Sequence, residues 1–160
     1  RNSRESKSRS RFFRSLLGYF TGNEAVVTDI VGPGPSAIHR TASFVPDYEF
    51  QESSIATAYE KSGRLHVYVG DWHTHPAGAL RLSRKDRSTL ARVATSREAR
   101  LATPIMILLA GSIRWELAAW CCYWKSQFGP IRTKKISTID MRRYSSDIPE
   151  STEAKIPKCT

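Results

Sequence analysis

Hydrophobic positions along this chain fall into short runs separated by Gly, Pro and polar residues, and the runs predict strands interrupted by two helices. Leu16–Tyr19 and Ala25–Val31 read as strands joined by a Gly-Asn turn within Thr21–Glu24, and Gly32-Pro33-Gly34-Pro35 ends the second. Ala42–Phe44 adds a short strand. Tyr48–Ser62 has helical composition, with apolar positions at Phe50, Ile55, Ala58 and Tyr59 and Gly63 where a C-terminal cap belongs. Residues 65–72 form a β-rich run, 84–95 a second helix, and Pro104–Leu109 a continuous apolar run suited to a central buried strand. After Gly111-Ser112 a long β-rich run extends over Ile113–Trp124 and is stopped by Gly129-Pro130; Lys134–Asp140 supplies a last strand. Trp115, Trp120 and Trp124 read as sheet-packing core residues.

With 160 residues and 40% hydrophobic content, the chain can bury one sizeable core and is too short for two of normal size. Strands interrupted by helices predict an α/β single domain, a mixed β-sheet flanked by helices. No apolar run approaches the ~18–20 residues of a membrane span, and the N-terminal segment lacks the apolar stretch of a secretory signal, so a cytoplasmic location is expected. The start at Arg1 in place of Met reads as a fragment or a processed chain. Cys121, Cys122 and Cys159 have no Cys-x-x-Cys spacing, which argues against a disulfide framework and a cysteine metal knuckle. Adjacent Cys121 and Cys122 are expected on opposite faces of one strand as small buried hydrophobes.

The net charge of +10 is unevenly spread. Residues 1–14 hold six Lys/Arg against one Glu, and residues 15–80 hold three against seven acids. Residues 1–10 have little to bury and are expected to be disordered. A second basic cluster, Arg81, Arg84, Lys85, Arg87, Arg92, Arg97 and Arg100, lies on and after the second helix. It reads either as a solvated face or as an electropositive rim for an acidic partner; without interleaved aromatics, a nucleic acid is the weaker reading.

The densest chemistry lies at His73-Thr74-His75-Pro76 and at Ser83-Arg84-Lys85-Asp86. His73 and His75 follow a strand and project to the same side, so both imidazoles can reach one ion. Taken alone, Ser83 with Asp86 three residues on reads as ordinary helix capping, and His-x-His as a surface or packed pair. Taken together, the turn-rich loop between them can fold the helix start over the strand end and bring the carboxylate to the imidazoles. Two His, one Asp and an open fourth position describe a catalytic zinc site. Trp72, beside the histidines, reads as core or as the wall of a substrate groove, and His39 and His66, without partner spacing, read as structural.

The segment resembles the JAMM (MPN+) metallopeptidase motif, His-[Ser/Thr]-His-Pro-x6-Ser-x-x-Asp, residue for residue. Leu16-Leu17-Gly18-Tyr19, Val27-Thr28-Asp29, Gly32-Pro33-Gly34-Pro35, Phe44-x-Pro46-Asp47, Gln51 and Gly70-Asp71-Trp72 are similar to the bacterial branch of JAB-domain proteins, over roughly residues 12–125. The resemblance implies a JAB/MPN, cytidine-deaminase-like sandwich over residues 12–140, between a basic flexible arm at 1–11 and a polar tail at 141–160. It implies Zn²⁺ bound by His73, His75 and Asp86, and a catalytic Ser83 that helps hold the metal-bound water or the oxyanion. The reaction implied is hydrolysis of an amide, usually an isopeptide or C-terminal tail bond, with a ubiquitin-like protein or its conjugates as partner and no membrane partner.

The family places a general-base Glu just before the Leu-Leu-Gly strand, typically as Glu-Thr-Gly-Gly; here Arg11-Phe12-Phe13-Arg14 stands there. A positioned carboxylate contributes about 10²–10⁴-fold to proton transfer, which arginine cannot supply. Glu5, the only acid in the first twenty residues, lies six positions too early. Three readings follow: a zinc peptidase or isopeptidase with a compensated base, a catalytically impaired zinc-binding pseudoenzyme that recognises such a partner without cutting it, and a zinc deaminase. The last is discounted, because neither His-x-Glu nor Pro-Cys-x-x-Cys is present.

Overall fold

The structure, a computed structural model, describes residues 14–40, 43–128 and 131–144. The basic arm, Glu5, Arg11, Ala42, Gly129-Pro130, Cys159 and most of the polar tail lie outside the described residues. β1 (Ser15–Thr21) turns back through Gly22-Asn23 into β2 (Glu24–Ile30), as the turn signal predicts. A small antiparallel pair follows, β3 (Ile38–Arg40) and β4 (Ser43–Val45); β4 overlaps the expected short strand, and β3 has no counterpart in the sequence reading.

α1 (Tyr48–Lys61) starts at Asp47, whose side chain accepts the Phe50 N–H at 3.1 Å, and closes at Ser62. Backbone hydrogen bonds from Phe50 and Ser36 hold the Asp47 carboxyl below its ordinary value. The apolar face read for this helix is corrected by the structure: Phe50 and Tyr59 are exposed, and the buried residue is Gln51. Its amide donates to the Gly32 carbonyl at 2.9 Å and its carbonyl faces the Ser15 hydroxyl at 3.4 Å, so α1 is fixed to the sheet partly through a polar tether.

β5 (Val67–Pro76), α2 (Arg84–Val93), β6 (Ile105–Gly111), β7 (Trp115–Phe128) and β8 (Ile131–Ile139) complete the chain. The main sheet runs β2-β1-β5-β6-β7-β8 and is mixed, as expected for this α/β fold: β5 and β6 are parallel and the other neighbours antiparallel. A parallel step requires a crossover, and α2 supplies it. Gly70 lies where β5 meets β6; a Cβ there would fall 2.0 Å from the Ile105 carbonyl oxygen, so this contact admits only glycine.

The core divides between the two faces of the sheet. Leu90 and Ala94, at the end of α2, pack with Leu82 over Met106, Leu108, Trp120 and Cys122. The other cluster centres on Leu16, Val69, Ile105 and Cys121 and is flanked by Ala25 and Val27 of β2 and Ile139 of β8. Both outermost strands add partly buried side chains to this cluster. The chain beyond β8 reaches back to β2, with Arg142 pairing to Glu24 at 3.2 Å and the Tyr144 hydroxyl donating to Glu24 at 3.4 Å. The two adjacent cysteines face opposite clusters, as read. Trp120 is buried, but Trp115 and Trp124 are 47% and 39% exposed, a correction: β7 outruns the cover that α2 provides. Among the described residues, no helix is long and apolar enough to cross a membrane.

Candidate metal centre

β5 does not end at Trp72; it stays paired with β6 through Pro76, so His73 and His75 lie inside an interior strand opposite Leu108 and Ala110. The period of two puts both imidazoles on one side of it. The chain then turns sharply. The Ala77 N–H donates to the Gly111 carbonyl at 2.8 Å with Ala77 at φ 53°, and the Gly78 N–H donates back to the His75 carbonyl at 3.0 Å. A Cβ on Gly78 would sit 3.0 Å from the His75 Cβ, so the small residue leaves room for the imidazole. With its Nδ1 protonated, His75 donates toward the Ala79 carbonyl at 3.4 Å, which leaves Nε2 free as a ligand atom.

Ser83 is the N-cap of α2. Its Oγ accepts the Asp86 N–H at 3.2 Å, and Asp86 Oδ2 accepts the Ser83 N–H at 2.8 Å, a complete capping box. The capping reading and the ligand reading are therefore compatible, because the cap aims the Asp86 carboxylate at the histidines. Asp86 Oδ1 is 3.4 Å from His73 Nε2, Asp86 Oδ2 is 3.6 Å from His75 Nε2, and the two Nε2 atoms are 3.2 Å apart. All three side chains are half-buried. Burial raises the Asp86 carboxyl pKa, but hydrogen bonds from His73 and Ser83 outweigh it and hold the group below the usual carboxylate range.

These distances fit a metal. Donor atoms at about 2.0–2.2 Å around a tetrahedral zinc ion stand roughly 3.3–3.6 Å from one another, close to the edges of this triangle. The set could equally hold another ion that accepts imidazole and carboxylate.

Arg14 places its guanidinium 5.0 Å over the Trp72 ring, and the Arg14 carbonyl accepts the Trp72 N–H at 2.9 Å. Burial lowers the Arg14 pKa. Asp71 is buried two residues before His73 and lies beside Tyr68, whose pKa is raised well above normal by burial and then by that carboxylate. Sequence reasoning singled out the histidines, Ser83 and Asp86, which the fold brings together. It missed the Ala79 carbonyl and Gly78, for which the only signal was a small residue inside the loop.

The chain belongs to the prokaryotic homologs of the JAB domain, whose family model matches residues 15–123, a span that contains the whole candidate centre. It is 42% identical over 109 residues to the probable metalloprotease y4qB of Sinorhizobium fredii, the match covering 66% of each chain. It is 34% identical over 86 residues to a CD-NTase/cGAS isopeptidase of Vibrio cholerae, covering 54% of this chain and 55% of that one. A CD-NTase/cGAS isopeptidase of Escherichia coli is 27% identical over 62 residues, or 39% and 40% of the two chains. This chain thus spans less than two-thirds of the length of each relative.

Proposed function

We propose that this protein is a zinc-dependent peptidase or isopeptidase that hydrolyses an amide or isopeptide bond of a ubiquitin-like protein or its conjugates, with His73, His75 and Asp86 as the metal ligands. The observation that carries the reading is the triangle of His73 Nε2, His75 Nε2 and the Asp86 carboxylate, with edges of 3.2, 3.4 and 3.6 Å. Bound Zn²⁺ would supply a Lewis acid and make a nucleophile available near neutral pH by lowering the pKa of water to about 7.

The chain's own residues do the rest. β5 fixes the imidazoles, the Ala79 carbonyl orients His75, and the capping box fixes the Asp86 carboxylate. The Ser83 hydroxyl accepts from the Asp86 N–H and lies against the Asp86 carboxylate, to which its proton is shared. Turned from that carboxylate, the proton would serve the attacking water or the oxyanion of the tetrahedral stage. The names of the relatives support amide chemistry in general and isopeptide cleavage in particular.

The test combines metal analysis with cleavage of a ubiquitin-like protein fused through its C-terminal tail to a reporter. The wild type should retain zinc near one ion per chain and release the reporter, whereas His73→Ala, His75→Ala and Asp86→Ala should lose both. Full zinc content in all three variants would refute the ligand assignment.

A further inference from the structure

We propose that the face formed by α2 and β8 docks an acidic protein segment, leading it from Trp124 to the candidate metal centre. Residues 15–80 hold three Lys/Arg against seven acids, whereas residues 81–135 hold twelve against three, so the half of the fold carrying α2 and β6–β8 is strongly basic. Arg84, Lys85 and Arg87 are exposed and surround Asp86, yet none forms an ion pair among the described residues. Asp86 does not neutralise them, because its oxygens are committed to Ser83 and face the histidines. They also occupy the first turn of a helix, where the backbone dipole favours carboxylates and opposes cations. The fold gains nothing from cations there.

Lys134 links the basic helix to the sheet. Arg84, Arg87 and Ala91 share one stripe of α2 by their spacing, and Lys134 Nζ donates to the Ala91 carbonyl at 3.4 Å. Lys134 pairs across the strands with Trp124 and lies 5.6 Å over its ring, while Arg132 projects to the same side of β8 two residues away. A segment of alternating or clustered Asp and Glu fits these cations, with exposed Trp124 as an apolar anchor at the far end. Neither α2 nor β8 carries an aromatic residue, so the stacked platform expected for a single-stranded nucleic acid is missing.

This inference rests on the proposed hydrolase reading only for the direction of the segment, and its test requires no turnover. A labelled oligoglutamate peptide is titrated with the protein and followed by fluorescence anisotropy over a series of salt concentrations, with oligolysine as control. The pairs Arg84→Glu/Arg87→Glu and Arg132→Glu/Lys134→Glu should each weaken binding about tenfold or more and flatten its salt dependence. The corresponding Gln pairs should shift it less, in the same direction, and guard against misfolding of the Glu variants. Trp124→Ala should weaken binding without changing the salt slope. His73→Ala should bind like the wild type, which separates docking from the metal. Unchanged affinity in either basic pair would overturn the proposal, as would tighter binding of a single-stranded DNA oligonucleotide than of oligoglutamate.

Discussion

Ser83 and Asp86 hold each other at the head of α2 through two reciprocal hydrogen bonds, of 3.2 and 2.8 Å, so one local motif both starts the helix and orients a carboxylate. Chemistry at the site and stability of the helix are thereby coupled through a single serine.

The two roles separate by substitution. Ser83→Ala should cost about 0.5–2 kcal/mol through the lost cap, whereas Ser83→Gly should cost only a few tenths. Both remove the hydroxyl, and both should lower kcat by about 10²–10³-fold if its proton stabilises the oxyanion. Ser83→Thr should retain most of both properties. Denaturant unfolding alongside reporter cleavage checks the set; a fully active Ser83→Gly would reduce Ser83 to a cap.

Acid sensitivity follows from Asp86. Its folded pKa lies below the ordinary carboxylate value of about 3.9, so the stabilisation it provides is fully present above that pH and fades as pH falls toward the folded value. Unfolding of metal-free protein should therefore become easier below pH of about 4. Asp86→Asn should be less stable at neutral pH and show a flatter curve through this window. Identical slopes for the two proteins would show that the carboxylate is not held as described.

Turnover is expected to depend on Arg11, which stands in the sequence where the family places its general-base Glu. Arg11→Glu should raise the cleavage rate on the tail-fused substrate, by up to about 10²–10⁴-fold if proton transfer limits the wild type. Glu5→Gln tests the alternative: a large loss there, with no gain from Arg11→Glu, would place the base at Glu5.

The candidate triad was legible because its spacing is stereochemically strict. Two histidines one residue apart on a strand must share a face, and an acid three residues after a capping serine must turn back toward the helix start. The mixed sheet was legible for a similar reason, since Ile105–Leu109 is apolar on both faces and suits an interior strand. Pattern failed where tertiary cover decides burial. Gln51 is buried because a carbonyl of the Gly32 turn needs its amide, which no periodicity reports. Trp124 and Trp115 lie on a strand that extends past its helix, and strand length relative to cover is invisible in sequence. The three-residue β3 gave too short a run to register.

Two of the three candidate ligands stand on the stretch of β5 that is paired with β6, and the third stands on α2, whose packing is chiefly against β7 and β8. An ion joining them would act as a removable cross-link between the rigid centre of the sheet and an element at its flank. Local opening of residues 77–93 would then be suppressed by metal in proportion to occupancy, while β5 and β6 would remain unaffected. Amide hydrogen exchange with and without zinc should register this as slower exchange confined to the loop and α2, so that metal supply would set the mobility of the same helix that carries Arg84 and Arg87.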